Sequence, residues 1–189
     1  MRMLRILFGV TVLAAAALPA LADDILDAID GARKAYQAGD MPNAKQSLDL
    51  ASQLIAQKNA EAFSALLPAQ LVGWKAEKVQ ATAVDAAMFG GASAASRSYS
   101  NAKGDTVEVS ITGDSAMIMQ FGPMLNNPAL AGAMGKLVLI GNQRAIQTND
   151  GDIMMLVANK IMIQVQGSAD AAAKLAYAQA VDVAKLSKM

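Results

Sequence analysis

Four short apolar runs in the C-terminal part of the chain constrain its fold more than any other feature. They span residues 136–140, 143–148, 153–158 and 161–166. The segments between them are Gly141-Asn142, a turn centred on Asp150-Gly151, and Asn159-Lys160. Short apolar runs joined by tight turns are typical of β-hairpins, and Asp-Gly is among the stronger local signals for one. The sequence therefore predicts a four-stranded antiparallel meander.

Two-residue turns in this meander would fix which side chains share a face of the sheet. One predicted face carries Leu137, Leu139, Ile146, Met155, Val157 and Met162. The other carries Ala145 and the candidate interaction or ligand residues Val138, Ile140, Met154, Leu156, Ile163 and Val165. A sheet with one hydrated face alternates apolar and polar residues, and this one does not. Both faces should therefore be covered, by helices of the chain, a second copy, a protein partner or an apolar ligand.

The segments on either side of the meander add a hairpin and a helix. Residues 94–102 and 106–111 alternate as strands around a predicted two-residue turn at Lys103-Gly104, which places Tyr99 opposite Glu108. After the meander, Ser168 is predicted to cap a helix that begins at Ala169. Its predicted buried stripe is Ala172, Leu175, Ala176, Val183 and Leu186.

Residues 24–67 show helical periodicity in two stretches. On the first, Ile25, Ile29, Ala32 and Tyr36 share one face. Gly39-Asp40 interrupts the pattern, and Pro42 then suits the first turn of a second helix. The second helix places Leu48, Ala51, Ile55, Ala62 and Leu66 on one face. The pattern predicts an antiparallel helical hairpin.

The first 22 residues have the layout of a secretory signal. Arg2 and Arg5 precede the apolar run of residues 6–18, and Ala20-Leu21-Ala22 offers a small-residue cleavage site. The run is shorter than the roughly 20 residues of a permanent membrane helix. We therefore expect a periplasmic protein, cleaved after Ala22 and without a membrane span in its mature form. An uncleaved anchor is the alternative.

The expected organisation is a signal peptide at residues 1–22, a helical hairpin at 23–67 and an α+β domain at 68–189. The expected fold class is α+β. The hairpin precedes an antiparallel sheet of about six to seven strands, which includes the meander and packs with a C-terminal helix.

Histidine and cysteine are absent from the sequence. Their absence excludes Ser-His-Asp and Cys-His catalysis, ordinary zinc sites, thiol redox chemistry and disulfides. The full chain has 16 basic and 16 acidic residues, and removal of Arg2 and Arg5 leaves 14 against 16. Such a balance does not favour nucleic-acid binding. We therefore expect a protein that is not an enzyme, has no cofactor and does not bind nucleic acid.

Three weaker chemical possibilities each have a simpler explanation. A glycosidase-like acid/base pair would draw on Asp85, Asp105, Glu108 and Asp114, but aromatic residues are scarce. Calcium binding would use residues 149–152, whose composition suits a tight turn. Copper(I) binding would use Met117, Met119 and Met124, or Met154, Met155 and Met162. Methionine as adaptable core filler accounts for the same positions, so no metal site is expected.

These exclusions favour an interaction role. The leading hypothesis is a non-enzymatic periplasmic accessory protein that forms a homo-oligomer or a complex through its helical hairpin and sheet face. The alternative is a periplasmic carrier of an apolar or lipid-like ligand. A second alternative is methionine-based Cu(I) binding.

Overall fold

The computed structural model describes residues 23–83, 92–113, 118, 122–123 and 127–189, so the expected signal peptide lies outside the described residues. The helices are α1 (Asp24–Gln37), α2 (Met41–Ser64), α3 (Pro128–Met134), α4 (Ala171–Ala180) and α5 (Val183–Leu186). The strands are β1 (Trp74–Ala76), β2 (Gln80–Ala83), β3 (Ser93–Asn101), β4 (Thr106–Gly113), β5 (Lys136–Ile140), β6 (Gln143–Gln147), β7 (Ile153–Val157) and β8 (Ile161–Gln166). Among the helices in these ranges, none combines the length and apolar character that a membrane crossing requires.

Local chemistry explains where the N-terminal helices begin and end. The Asp23 carboxylate accepts a hydrogen bond from the backbone N–H of Ile25 and caps α1. Gly39 ends the first helix region with a φ of 78°, and Asp40 caps α2 by accepting from the N–H of Asn43. The predicted helical hairpin is confirmed at these boundaries.

All the described strands form one antiparallel sheet, which confirms the α+β class. The strand order is β1-β3-β4-β8-β7-β6-β5, and β2 also pairs with β3. The described residues therefore contribute eight strands to the sheet, where about six to seven were expected. The additional strands are short, and β1 and β2 pair with successive parts of the long strand β3.

The predicted turns are right at one position and wrong at three. Ile140 pairs with Gln143, so Gly141-Asn142 is a two-residue turn as predicted. In the other hairpins three residues lie between the last paired positions, which are Asn101 with Asp105, Thr148 with Asp152, and Val157 with Ile161. Gly104 and Gly151 take positive φ values as the third loop residue, the geometry of a three-residue hairpin loop with a bulge.

Each extra loop residue shifts the register by one and moves side chains to the opposite face. Met155 pairs with Ile163, and Val165 pairs with Val109, so these residues share the face that we call the inner face. Tyr99 lies opposite Val107 on this face, and the predicted pairing of Tyr99 with Glu108 is wrong.

Helices cover the inner face. Phe63 of α2, Tyr177 of α4 and Leu186 of α5 belong to one core cluster with the strands, and their relative exposures are 2%, 0% and 0%. Val109 and Ile163 on the strands beneath are fully buried. The core of the molecule therefore lies between the inner face and these helices.

The C-terminal helix begins later than predicted. The backbone N–H of Thr106 donates to the Ser168 hydroxyl at 2.9 Å. Ser168 therefore hydrogen-bonds to strand β4 and does not cap a helix. Asp170 caps α4 instead, by accepting from the N–H of Ala173 at 2.8 Å. The buried residues of α4 are Lys174, Tyr177 and Ala178. Of the predicted stripe, Leu186 in α5 is fully buried, Leu175 and Val183 are partly buried against the core, and Ala172 is exposed.

The outer face is divided between a polar and an apolar part. Ser96, Ser98 and Ser110 lie on β3 and β4, whereas Ile146 and Leu156 are buried in the meander. Other outer-face residues of the meander are Leu137, Leu139, Met154 and Met162. The meander thus stays apolar on both sides after the register shift.

Candidate interaction surfaces

The predicted interaction residues do not share one face. Val138, Ile140, Ile163 and Val165 lie on the inner face, and the last three are at most 3% exposed. Met154 and Leu156 lie on the outer face because the β6–β7 turn has three residues. The inner four are directed toward the protein's own core and are not a surface for a partner.

Alanines form the contact between the two helices of the hairpin. Ala28 and Ala32 of α1 and Ala44 and Ala51 of α2 are between 4% and 7% exposed. A Cβ atom built at Gly31 would lie 3.5 Å from the Ser47 hydroxyl oxygen, so the two helices approach closely there. Small residues allow this close approach and leave no room for larger side chains between the helices.

The large apolar side chains of the hairpin are exposed. We call these six residues the hairpin apolar face: Leu26 (60% exposed), Ile29 (43%), Tyr36 (64%), Met41 (56%), Leu48 (56%) and Ile55 (43%). The predicted stripes are thus divided: Ile29, Tyr36, Leu48 and Ile55 are exposed, whereas Ala32 and Ala51 are buried. The alanines take the interface because they permit a shorter distance between the helix axes.

The six residues lie on one side of the hairpin. At about 100° per residue, the three residues on α2 lie about 30–70° from the buried alanines of that helix, and the three on α1 lie about 60–140° from theirs, in the same rotational sense. Because α1 and α2 are antiparallel, rotation in the same sense points to the same side. Phe63 also projects to this side where the C-terminal half of α2 meets β2 and β3. The hairpin apolar face thus lies on the same side of α2 as the sheet-covered part, nearer the N-terminal end of the helix.

Ion pairs border the hairpin apolar face on both helices. Arg33 and Asp30 approach to 3.1 Å on α1, and Lys45 and Asp49 to 2.7 Å on α2. The hydrogen bond from Lys45 to the Asp49 carboxylate raises the pKa of Lys45. An apolar centre with a charged border is the usual anatomy of a protein–protein interface.

A second, smaller apolar surface surrounds strand β5. Leu137 and Leu139 are 44% and 68% exposed on the outer face, and Leu130 of α3 is 49% exposed. Strand β5 ends the strand order of the described sheet, and its described partner is β6 alone. Leu137 and Leu139 therefore belong to an edge strand, where exposed apolar residues promote association.

Three aromatic residues join the hairpin to the sheet. The Tyr99 hydroxyl donates to the Pro68 carbonyl at 2.6 Å, and the Leu71 N–H donates to the Tyr177 hydroxyl at 3.3 Å. The Tyr99 and Tyr177 rings lie 4.3 Å apart, and Trp74 meets Tyr177 edge-on at 5.5 Å. Burial raises the pKa of Tyr99 to about 12 and also raises the pKa of Tyr177. These neutral phenols stabilise the connection between α2 and β1.

Lys174 is a buried cation that the sequence pattern did not reveal. Its Nζ donates to Asp152 Oδ1 at 2.7 Å and to the Asp150 carbonyl at 2.8 Å. These oxygens belong to the turn that was considered for calcium, and an ammonium group already binds them. The signal that the sequence did contain is a lysine among alanines in α4, with the acidic residues Asp150 and Asp152 in an earlier turn.

The remaining candidates for chemistry are dispersed. Asp105 accepts from the Asn101 amide in the β3–β4 turn, whereas Glu108 lies on the outer face beside Gln166. Asp85, Asp114, Met117, Met119 and Met124 lie outside the described residues. Met154 and Met162 share the outer face, and Met155 lies on the inner face, so this group of three is divided between the two sides of the sheet.

One open cleft of about 540 Å³ lies between the β5–β6 turn and the end of α4, lined by Asn142, Gln179 and Asp182 among others.

Comparison of the chain with protein-family models, with curated proteins and with solved structures gives no match. Carriage of an apolar ligand and Cu(I) binding stay predictions.

Proposed function

We propose that this chain is an exported, non-enzymatic accessory protein that acts by associating through the hairpin apolar face. The observation that carries the proposal is that the hairpin buries its alanines and exposes its large apolar side chains. Six such side chains lie on one side of the hairpin, each between 43% and 64% exposed. Burial of a methylene group contributes about 0.8 kcal/mol, so covering these side chains favours association.

The size of the hairpin apolar face supports the same function. With about 200 Å² for a fully exposed large side chain, the six residues expose roughly 600 Å² of mostly apolar surface. The largest apolar patch on a typical monomer is roughly 300–600 Å² and is often functional. The hairpin apolar face is therefore at the upper end of what an isolated monomer presents to water.

Site-specific photo-crosslinking in cells that export the chain tests this function. A benzophenone amino acid in place of Tyr36, on the hairpin apolar face, should give protein adducts upon irradiation. The same residue in place of the exposed Lys34, on the other side of α1, is the matched control and should not. Absence of any adduct from position 36 would remove the proposal.

The proposed export has its own test. Mass spectrometry of the exported fraction should find a chain that begins at Asp23, as the cleavage site after Ala22 predicts. Retention of the whole chain in the cytoplasm would remove the exported location and leave the interaction function to the crosslinking experiment.

A further inference from the structure

We infer that the partner on the hairpin apolar face is a second copy of this chain, related by a two-fold axis that crosses the hairpin at Leu48. The inference rests on the function proposed above and names the partner for the same surface. The axis lies in the plane of the interface and perpendicular to the helices, so each helix packs antiparallel on its own copy.

The spacing of apolar residues on α2 is symmetric about Leu48. Met41 precedes Leu48 by seven residues and Ile55 follows it by seven. Seven-residue spacing places the three side chains on one line along the helix, about 10 Å apart. An antiparallel copy therefore stacks Leu48 on Leu48 and places Met41 against Ile55 of the second copy.

Helix α1 has the same symmetry about the same axis. Gly31 lies level with Ser47, one residue from Leu48, as their close approach shows. Leu26 precedes Gly31 by five residues and Tyr36 follows it by five. The axis that stacks Leu48 on its copy thus also brings Leu26 level with Tyr36 of the second copy. A surface for an unrelated protein or a lipid does not require this agreement between two helices.

The charges on α1 favour the same antiparallel arrangement. Asp30 and Arg33, which border the hairpin apolar face, lie on either side of Gly31 along α1. Antiparallel packing on a second copy brings Arg33 of each chain near Asp30 of the other. A two-fold interface is self-complementary, and this distribution of charge satisfies that condition.

The available area also suits a dimer. The hairpin apolar face supplies roughly 600 Å² of the roughly 800 Å² that each partner buries in a standard interface. The bordering ion pairs, Asp30–Arg33 and Lys45–Asp49, lie at the rim and supply polar area. The axis places the two sheets at opposite ends of the assembly, because Phe63, near the C-terminal end of α2, packs in the core with the strands of its own chain.

Single cysteine variants test the position of the axis, since the natural chain has no cysteine. In the mature full chain, Leu48→Cys places two thiols together on the axis and should form an intermolecular disulfide rapidly under mild oxidation. Leu50→Cys is the matched control, because Leu50 is 49% exposed on the other side of α2. It should stay reduced or react much more slowly.

Sedimentation of cysteine-free proteins provides the second measurement. The wild-type chain should sediment at twice its monomer mass at micromolar concentration. Leu48→Asp, which sets two like charges against each other on the axis, should weaken the dimer at least about 100-fold. Leu50→Asp should leave the dimer intact, and circular dichroism should show that both variants are folded.

The outcomes separate this inference from the proposed function. A dimer that is crosslinked through position 48 and dissociated by Leu48→Asp supports the second copy. A wild-type monomer at these concentrations, or equal crosslinking through positions 48 and 50, overturns it. If the purified chain is monomeric while the position-36 crosslink in cells gives an adduct that is not twice the chain mass, the second copy is excluded and the interaction function stands.

Discussion

Replacement of Lys174 by methionine should destabilise the fold by about 2 kcal/mol. The Lys174 side chain is 3% exposed, and its ammonium makes hydrogen bonds of 2.7 Å to Asp152 and 2.8 Å to the Asp150 carbonyl. Hydrogen bonds to a charged group contribute about 1.5–3 kcal/mol each. Part of that gain offsets the desolvation of the ammonium, and Asp152 can regain water in the variant because its side chain is 34% exposed. Methionine retains the length and the apolar packing.

Removal of the charge of the other partner, Asp152, should destabilise the fold more. Asp152→Asn leaves the ammonium of Lys174 buried with a neutral amide and one carbonyl, and an uncompensated buried charge costs about 3–5 kcal/mol. Lys174→Met leaves the unpaired charge on the residue that water can reach. The double variant should lose less than the sum of the two single losses, because the two residues form one interaction.

Urea unfolding followed by far-UV circular dichroism measures these differences, and Trp74 fluorescence provides a second probe. A loss of 2 kcal/mol should lower the melting temperature by about 4–8 °C in a protein of this size. A Lys174→Met variant within about 0.5 kcal/mol of wild type would refute the assigned role of the pair. A smaller effect for Asp152→Asn than for Lys174→Met would contradict the assigned difference in burial.

Two further substitutions test the aromatic cluster and the turn geometry. Tyr99→Phe leaves the Pro68 carbonyl without its partner and should cost about 1–2 kcal/mol. Since burial raises the pKa of Tyr99 from 10.0 to about 12, its neutral form stabilises the fold below pH 10, and this contribution is lost as the pH rises from 10 to 12. Unfolding measured between pH 10 and pH 12 should show this loss of stability in the wild type and not in Tyr99→Phe. An identical pH dependence in the two proteins would count against the assignment. Gly151→Ala should cost more than about 2 kcal/mol, because φ is 80° and the added Cβ would lie 2.7 Å from the Ala171 Cβ. Gly104→Ala is its matched control, because its φ is 88° and nothing lies within 4 Å of the added Cβ. In chemical denaturation this control should cost only the backbone strain of about 1–2 kcal/mol. Equal losses of stability for the two variants would disprove the close contact at Gly151.

Four of the six residues of the hairpin apolar face were visible in the sequence as parts of helical stripes, but their exposure was not. Leu48 and Ile55 formed a recognisable stripe together with Ala51. In the structure only Ala51 is buried, because the alanines bring the two helices close together. Periodicity shows which residues share a face of a helix. The distance between two helix axes then selects which part of that face is enclosed.

The sequence alone determined the features that depend on neighbouring residues. Asp40 and Pro42 start α2, and Gly141-Asn142 closes a two-residue hairpin, because caps and turns use backbone groups only a few residues away. The four apolar runs likewise determined that a meander forms and that the fold is α+β.

Tertiary structure decided the strand registers, the burial of Lys174 and the exposure of the hairpin apolar face. A loop of two or three residues differs little in local sequence, yet it reverses the face of every following side chain. Lys174 is buried only because α4 lies over the Asp150 turn, which is more than twenty residues away in the chain. Each of these features depends on the shape of a distant segment, and the pattern of residues within a single helix or strand does not contain that shape.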